Sequence, residues 1–188
     1  EDISGTPDGF WYARRNSRYD FTIQPITPVK AYGEKAVNRT NWYYRPLRTK
    51  QAQWLEPYIN GNNGVRMITY VMPIFVKGQF VAVAGVDIDF NVLCDVVGAM
   101  KAYQDGYGFL FKDGQTVYFH PDGKGIEPDF NPDFMILQNG DLLQRSATEQ
   151  KLIHYEYKGI PMALAFTTFR NGMKLAITAP ADEIYAGR

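Results

Sequence analysis

The sequence predicts an α+β chain of two tandem units, each built on a central antiparallel sheet. Three observations carry that prediction. Turn pairs ending in glycine recur along the chain: Asp8-Gly9, Asn60-Gly61, Asn63-Gly64, Lys77-Gly78, Asp113-Gly114, Asp122-Gly123, Lys158-Gly159 and Asn171-Gly172. Gly, Asn and Asp supply the positive φ that tight hairpins require. Runs rich in β-branched and aromatic residues lie between these pairs, as strands do. Finally, the order strand, Lys-Gly turn, strand, helix over residues 66–97 returns at 153–185 as strand, Lys-Gly turn, two strands and a helix start.

Each element has its own local reason. Residues 66–76 and 80–89 flank Lys77-Gly78 and form one predicted hairpin; 107–112 and 115–120 flank Asp113-Gly114 and form a second. Residues 153–158, 160–169 and 173–178 read as a three-stranded meander. There Ile153, Tyr155 and Tyr157 alternate with His154, Glu156 and Lys158, the period of a half-buried strand. Over 91–103 the period changes. Val92, Leu93, Val96, Val97 and Met100 are three and four apart, which predicts a helix with Asp89 or Asn91 as its cap. A short helix is expected from Asn41, with Trp42 and Tyr43 in its first turn and Pro46 near its end. A last one opens at Pro180, a residue suited to a first helical position. The expected boundaries are a first unit at 1–92, a connecting helix at 93–104 and a second unit at 105–188.

Composition narrows the function. Lys plus Arg equals Asp plus Glu at 20 each, so the chain lacks the basic surplus of a general nucleic-acid binder. The single cysteine, Cys94, excludes an internal disulfide and a Cys-rich metal centre. No apolar run approaches the roughly 18 residues of a membrane helix; the best stretch, 67–76, is interrupted by Thr69 and Pro73. No Gly-x-Ser-x-Gly elbow, phosphate-cradling glycine loop or His-Glu-x-x-His helix is present. His120-Pro121-Asp122 has no third ligand near it in sequence and reads as a strand end. No catalytic residue, metal or cofactor is therefore expected. An enzyme reading would need a carboxylate pair such as Asp87 with Glu56, for which the sequence holds no motif.

Asp87 is the sharpest single residue. It follows the apolar run 80–86, and a carboxylate taken from water there needs a partner. That partner is either a cationic ligand group or a neighbouring Arg; a capping role is the third option. Trp42, Tyr43, Tyr58 and Tyr70 form a candidate aromatic wall, whose faces attract an ammonium group. Ordinary core packing is the plainer account of each ring.

Asn41-Trp42-Tyr43, Trp54-Leu55-Glu56-Pro57-Tyr58, Val71-Met72-Pro73-Ile74-Phe75 and Gly85-Val86-Asp87-Ile88-Asp89 follow one another in an order that resembles the double Cache family. These are the PDC-type, PAS-like extracytoplasmic sensor domains of bacterial transmembrane receptors. Gly106-Tyr107-Gly108-Phe109-Leu110, His120-Pro121-Asp122 and Ala179-Pro180 continue the likeness, which spans roughly residues 8–185. The resemblance implies two PAS-like units and a long N-terminal helix that is expected to be missing from this sequence. It implies a periplasmic or extracellular position in a membrane-anchored protein, and it admits a homodimer. The output domain would be a histidine kinase, a chemotaxis signalling domain or a diguanylate cyclase. It implies a small amine or amino-acid-like ligand in the membrane-distal unit, with Asp87 on the ligand amine.

The amino-acid-recognising branch places an Arg two residues before the Trp and a Tyr seven before it. This chain has Thr40 and Lys35 there, with Arg39 one step further back. Arg39 is thus the candidate carboxylate clamp, with Arg45, Arg48 and Arg66 as substitutes. The second unit is expected to bind no small molecule. A spacer or a partner-protein-binding unit is the alternative reading of the whole chain.

Overall fold

The computed structural model describes residues 9–14, 20–112, 116–123 and 152–186. The chain divides into two compact units, Glu1–Phe90 and Asn91–Arg188. Both are mixed α and β with antiparallel sheets.

The first unit opens on a hairpin absent from the sequence reading, β1 (Trp11–Arg14) against β2 (Phe21–Gln24). A one-turn helix α1 (Val29–Tyr32) ends at Gly33, whose φ of 66° breaks the helix. Helix α2 (Val37–Thr49) follows. It begins four residues before the expected Asn41. Its first turn has no acidic residue and its cap, Ala36, makes no side-chain hydrogen bond, so the usual sequence signature of a start is missing. The start is held instead by Thr40, fully buried, whose hydroxyl bonds the Gly33 carbonyl at 2.8 Å and that of Ala36 at 3.0 Å.

Pro46 lies in the last turn of α2, near its end as expected; the helix runs three residues further to Thr49, and its C-cap Lys50 is left-handed at φ 56°. Short strands β3 (Gln53–Trp54) and β4 (Tyr58–Ile59) pair in succession along β5 (Arg66–Val76), and β6 (Gln79–Asp89) pairs with β5 as well. The Lys77-Gly78 turn has φ of 50° and 79° at its central residues, the primed geometry that matches strand twist. Two residues beyond it the register slips: Phe75 pairs with Phe80 but Ile74 with Ala82, leaving Val81 as the extra residue of a β-bulge. From there Thr69 faces Asp87, Val71 faces Gly85 and Tyr70 faces Val86.

Strand β6 buries none of its residues. The expectation of a mostly buried strand around Asp87 therefore fails. Among the described residues β6 has only β5 as a sheet neighbour. On the sheet face bearing Tyr70, Met72, Ile74, Val86 and Ile88 are all exposed. The run 80–86 is apolar, with Phe80, Ala82 and Val83 half-buried and the rest exposed.

Helix α3 (Phe90–Gly98), which opens on the last residue of the first unit and belongs otherwise to the second, is shorter than the helix expected over 91–103. Gly98 ends it, and Tyr103 is left-handed at φ 58° in the turn between β7 (Lys101–Ala102) and β8 (Gly106–Phe111). With β9 (Val117–Phe119), β10 (Ile153–Tyr157), β11 (Ile160–Thr168) and β12 (Lys174–Pro180), these form a sheet of order β10-β11-β12-β8-β7, β9 pairing with β8. The meander follows its predicted limits closely. The turn at Asp113-Gly114 lies outside the described residues. Helix α4 (Ala181–Tyr185) starts directly after Pro180.

The core of this unit is Phe109, Phe111, Ile153, Tyr155, Met162, Leu164 and Ala176. Two glycines set its close contacts. A Cβ on Gly108 would stand 3.0 Å from the Val97 carbonyl, so its absence lets α3 lie against β8. A Cβ on Gly106 would stand 2.1 Å from the Ala102 carbonyl and 2.6 Å from that of Thr178.

Candidate ligand-binding site

The site is built on the β5–β6 ladder. Thr69 and Asp87 are cross-strand partners, and the Thr69 hydroxyl donates to Asp87 Oδ1 at 2.6 Å. Tyr58, on β4, brings its hydroxyl to within 3.0 Å of the same Thr69 oxygen. A hydroxyl has one proton. Thr69 gives its proton to the carboxylate, so Tyr58 donates to Thr69, and the order is Tyr58 to Thr69 to Asp87. Desolvation raises the Asp87 pKa above the ordinary carboxylate value, and the Thr69 bond opposes the rise. Desolvation also raises the Tyr58 phenol, which keeps it a donor. Asp87 is exposed at the cleft, yet the surrounding walls remove part of its hydration.

These three residues line an open cleft of about 590 Å³, mouth included. Its aromatic walls are Trp42 from α2 and Phe10 and Trp11 from the N-terminal hairpin; Val71, Val83 and Gly85 of the sheet also line it. The remaining lining is uncharged: Ile26 and the polar Thr27, Asn60 and Asn62. Asn62 Nδ2 donates to Thr27 Oγ1 at 2.9 Å and to the Pro25 carbonyl at 3.3 Å, and the Asn62 amide donates to Asn60 Oδ1 at 2.8 Å. Among the described residues that line the cleft, Asp87 carries the only formal charge.

Of the residues expected from sequence, the structure brings Asp87, Trp42 and Tyr58 together around this cleft. Tyr43 and Tyr70 do not line it. Tyr43 stands edge-on to Phe80 at 5.7 Å and to Tyr44 at 5.2 Å, packing α2 onto β6. Tyr70 is one step out of phase with Thr69 and Val71, so strand alternation puts it on the opposite face, where it meets Trp54 at 5.2 Å. Arg39 lines a neighbouring cleft and not the one holding Asp87. Its guanidinium lies 4.9 Å from the centre of the Tyr32 ring. Arg48 pairs with Glu34, and Arg66 covers the Phe90 ring at 4.2 Å.

Sequence reasoning missed Thr69, Asn60, Asn62, Thr27 and the hairpin residues Phe10 and Trp11. Counting back from Lys77-Gly78 places Ile68 opposite Asp87; only the bulge makes the partner Thr69.

In the second unit His120 is fully buried between the rings of Tyr107, Phe109 and Tyr157 at 5.0, 5.6 and 5.3 Å. Its Nδ1 accepts the Asp122 amide at 3.1 Å. The neutral ring therefore carries its proton on Nε2, 3.2 Å from the Tyr107 hydroxyl. Burial pushes its pKa down to about 4. Among the described residues no group of His, Cys, Asp and Glu is arranged to hold a metal.

Residues 8–95 match the family model for the first PDC sensor domain of methyl-accepting chemotaxis-like proteins. Over 90 residues the chain is 27% identical to the methyl-accepting chemotaxis protein PscA of Pseudomonas syringae pv. tomato, covering 48% of this chain and 14% of that protein. The fold is similar to that of the extracellular domain of mmHK1S-Z3, a protein assigned as a histidine kinase. The TM-score is 0.65 at 22% identity, over 90% of this chain and 61% of that one. It is also similar to the ligand-binding domain of the amino acid chemoreceptor PctB of Pseudomonas aeruginosa PAO1, solved with L-Arg. There the TM-score is 0.56 at 19% identity, over 89% of this chain and 69% of that one. This chain thus spans a small part of PscA and under two thirds of the mmHK1S-Z3 domain.

Proposed function

We propose that this chain, a chemotaxis-receptor-type PDC sensor domain in its first half and a double Cache sensor in its fold, binds a small ligand through an ammonium group held by Asp87. It serves as the extracytoplasmic sensing part of a membrane-anchored receptor. The observation that carries the reading is the Asp87 carboxylate, oriented by Thr69 and set in a cleft with Trp42 and Tyr58. An ammonium group gains there from charge pairing and from the faces of the rings. No catalytic step is assigned. The ligand acts by binding one conformer of the receptor better than another. The chemoreceptor relatives favour a chemotaxis output for the full-length protein, and both clefts described are lined by residues of the first unit.

Titration calorimetry with amines, amino acids and simple carboxylates tests this. Amine-bearing compounds should bind, and Asp87→Asn should weaken them by about 2 kcal/mol, the worth of a hydrogen bond to a charged group, with the fold unchanged. Undiminished affinity in Asp87→Asn would overturn the assignment. Silence across the whole panel would favour a spacer or protein-docking role instead.

A further inference from the structure

The hydrogen-bond inventory of the Asp87 cleft leaves two groups unused. The Thr69 proton goes to Asp87, the Tyr58 proton to Thr69, and the Trp42 indole N–H to the Arg39 carbonyl at 2.9 Å. Asn62 gives its Nδ2 protons to Thr27 Oγ1 and to the Pro25 carbonyl. A peptide carbonyl only accepts, so that contact fixes which arm of the Asn62 amide is nitrogen. The other arm, Oδ1, accepts no hydrogen bond from any described residue. The Thr27 hydroxyl accepts from Asn62 and still has its own proton to give. Both residues are half-buried and line the cleft. Asn62 is held there by its backbone N–H on Asn60 Oδ1, and Asn60 in turn interacts with the Tyr58 hydroxyl. A polar strip thus runs from Asp87 through Thr69, Tyr58 and Asn60 to Asn62 and Thr27. It begins at an anion and ends at a neutral donor beside a neutral acceptor. Among the described residues lining the cleft none is cationic. Arg39 and Glu56 line the neighbouring cleft, about 520 Å³ with its mouth, which shares only the Trp42 and Tyr58 rings with this one.

We propose that Thr27 and Asn62 read a primary carboxamide on the ligand, so that the cleft selects amines bearing an amide over the amino acids of the same skeleton. This assignment deepens the ammonium reading of Asp87 and rests on it. A primary amide shows a C=O and an N–H along one edge. The C=O accepts from the Thr27 hydroxyl while the N–H donates to Asn62 Oδ1. A carboxylate has no proton for Asn62 Oδ1 and sets its lone pairs against that oxygen. It also meets Asp87 in place of a cation, and an unpaired charge in a partly desolvated site is costly. A plain amine suffers no such repulsion but leaves both groups unused. A trans peptide bond points its C=O and N–H in opposite directions, so a substituted amide fills one partner and misses the other. Selection therefore combines a matched donor and acceptor with repulsion of the closest competitor.

Calorimetry over a series of chain lengths decides the matter, comparing amino amides, their N-methylamides, the parent amino acids and plain alkylamines. It is run on the unmodified protein and on Thr27→Val, Asn62→Ala and Asp87→Asn. At the length that fits, the primary amide should bind about tenfold tighter than the alkylamine, the worth of two ordinary hydrogen bonds. It should exceed the amino acid by at least as much, and N-methylation should remove most of the gain. In Thr27→Val and Asn62→Ala the amide falls to within about threefold of the alkylamine, which itself binds as before; a merely structural role would weaken both probes together. Asn62→Ala also frees the Pro25–Thr27 segment, so the near-isosteric Thr27→Val guards against a folding defect. The assignment is overturned if the amino acid or the N-methylamide matches the primary amide at every length, or if the amide never improves on the alkylamine. It is overturned equally if the gain survives both substitutions, or if no compound of the series binds. Failure of the Asp87 reading looks different. Asp87→Asn then leaves alkylamine binding unchanged, whereas a wrong amide assignment removes only the advantage of the amide and leaves the alkylamine dependent on Asp87.

Discussion

Thr69 has one proton and two neighbours that can take it, and its gift to Asp87 sets the polarity of the cleft. The proposed amine binding needs an ionised Asp87, so affinity is expected above the Asp87 pKa and falls as the pH drops through it, a midpoint raised from the ordinary carboxylate value by desolvation. Thr69→Val removes the donor that holds this pKa down. Its affinity-against-pH curve should shift to higher pH, with binding at neutral pH weakened by about 1 kcal/mol; an unmoved midpoint would mean Thr69 does not govern the carboxylate. The His120 pKa is displaced the other way, and its effect is likewise lost toward acid. Its folded pKa, about 4, lies below the unfolded value of 6.5. Its contribution is therefore complete above pH 6.5 and is lost as the pH falls toward 4, roughly 3 kcal/mol in all. Urea unfolding at stepped pH should show that loss, and His120→Gln should flatten it. At this scale Asp87 stood out in the sequence as a carboxylate after an apolar run, and Trp42 and Tyr58 as members of a candidate aromatic wall; the structure sets these three around one cleft. Thr69 was invisible, since a threonine in a strand is ordinary until its cross-strand partner is known.

Among the elements, the long ladders were legible because turn glycines bound them and alternation fills them; β5 with β6 and the β10–β12 meander stand where those signals put them. Elements whose signals are short or misleading were not. The hairpin β1–β2 is four residues a side, and α2 starts without a polar cap. The apolar spacing that suggested a longer α3 continues past Gly98 into the β7 turn. Close strand packing at the start of β8 depends on Gly106. A methyl group there meets two backbone carbonyls and the Ala179 methyl, at 2.1, 2.6 and 2.8 Å, and neither carbonyl can rotate away. Gly106→Ala should cost about 3 kcal/mol, at the upper end of overpacking, read as a lower denaturation midpoint. A near-neutral result would mean that β7 moves aside.

For the molecule as a whole, two sheets were foreseen from the recurrence of strand, Lys-Gly turn and strand, and both Lys-Gly turns have the same pair of positive φ values, 50° and 79° then 52° and 76°. The unit Asn91–Arg188 holds a core drawn wholly from its own residues. Expressed alone as residues 91–188, it should unfold cooperatively with a normal near-ultraviolet signal from its buried tyrosines. A molten, non-cooperative fragment would show that the core depends on the first unit. What the sequence did not disclose at this scale is the second cleft, because Arg39 and Glu56 are brought to one place only by the fold between α2 and the β3–β4 connection.

The slip in the β5–β6 ladder at Val81 carries a chemical consequence. Side chains along a strand change sides at every step, so one extra residue near the turn reverses the parity of everything beyond it. Ahead of the slip the even-numbered Phe80 of β6 shares a face with Phe75; beyond it the odd-numbered Val83, Gly85 and Asp87 do so with Val71 and Thr69. With Val81 paired in a regular ladder instead of bulged out, Thr69 would look across at Val86, and the carboxylate would turn to the side of Tyr70. The cleft would then hold an isopropyl group in place of its anion. The charge of this cleft is thus written in the frame of its strand, several residues away from the acid that bears it.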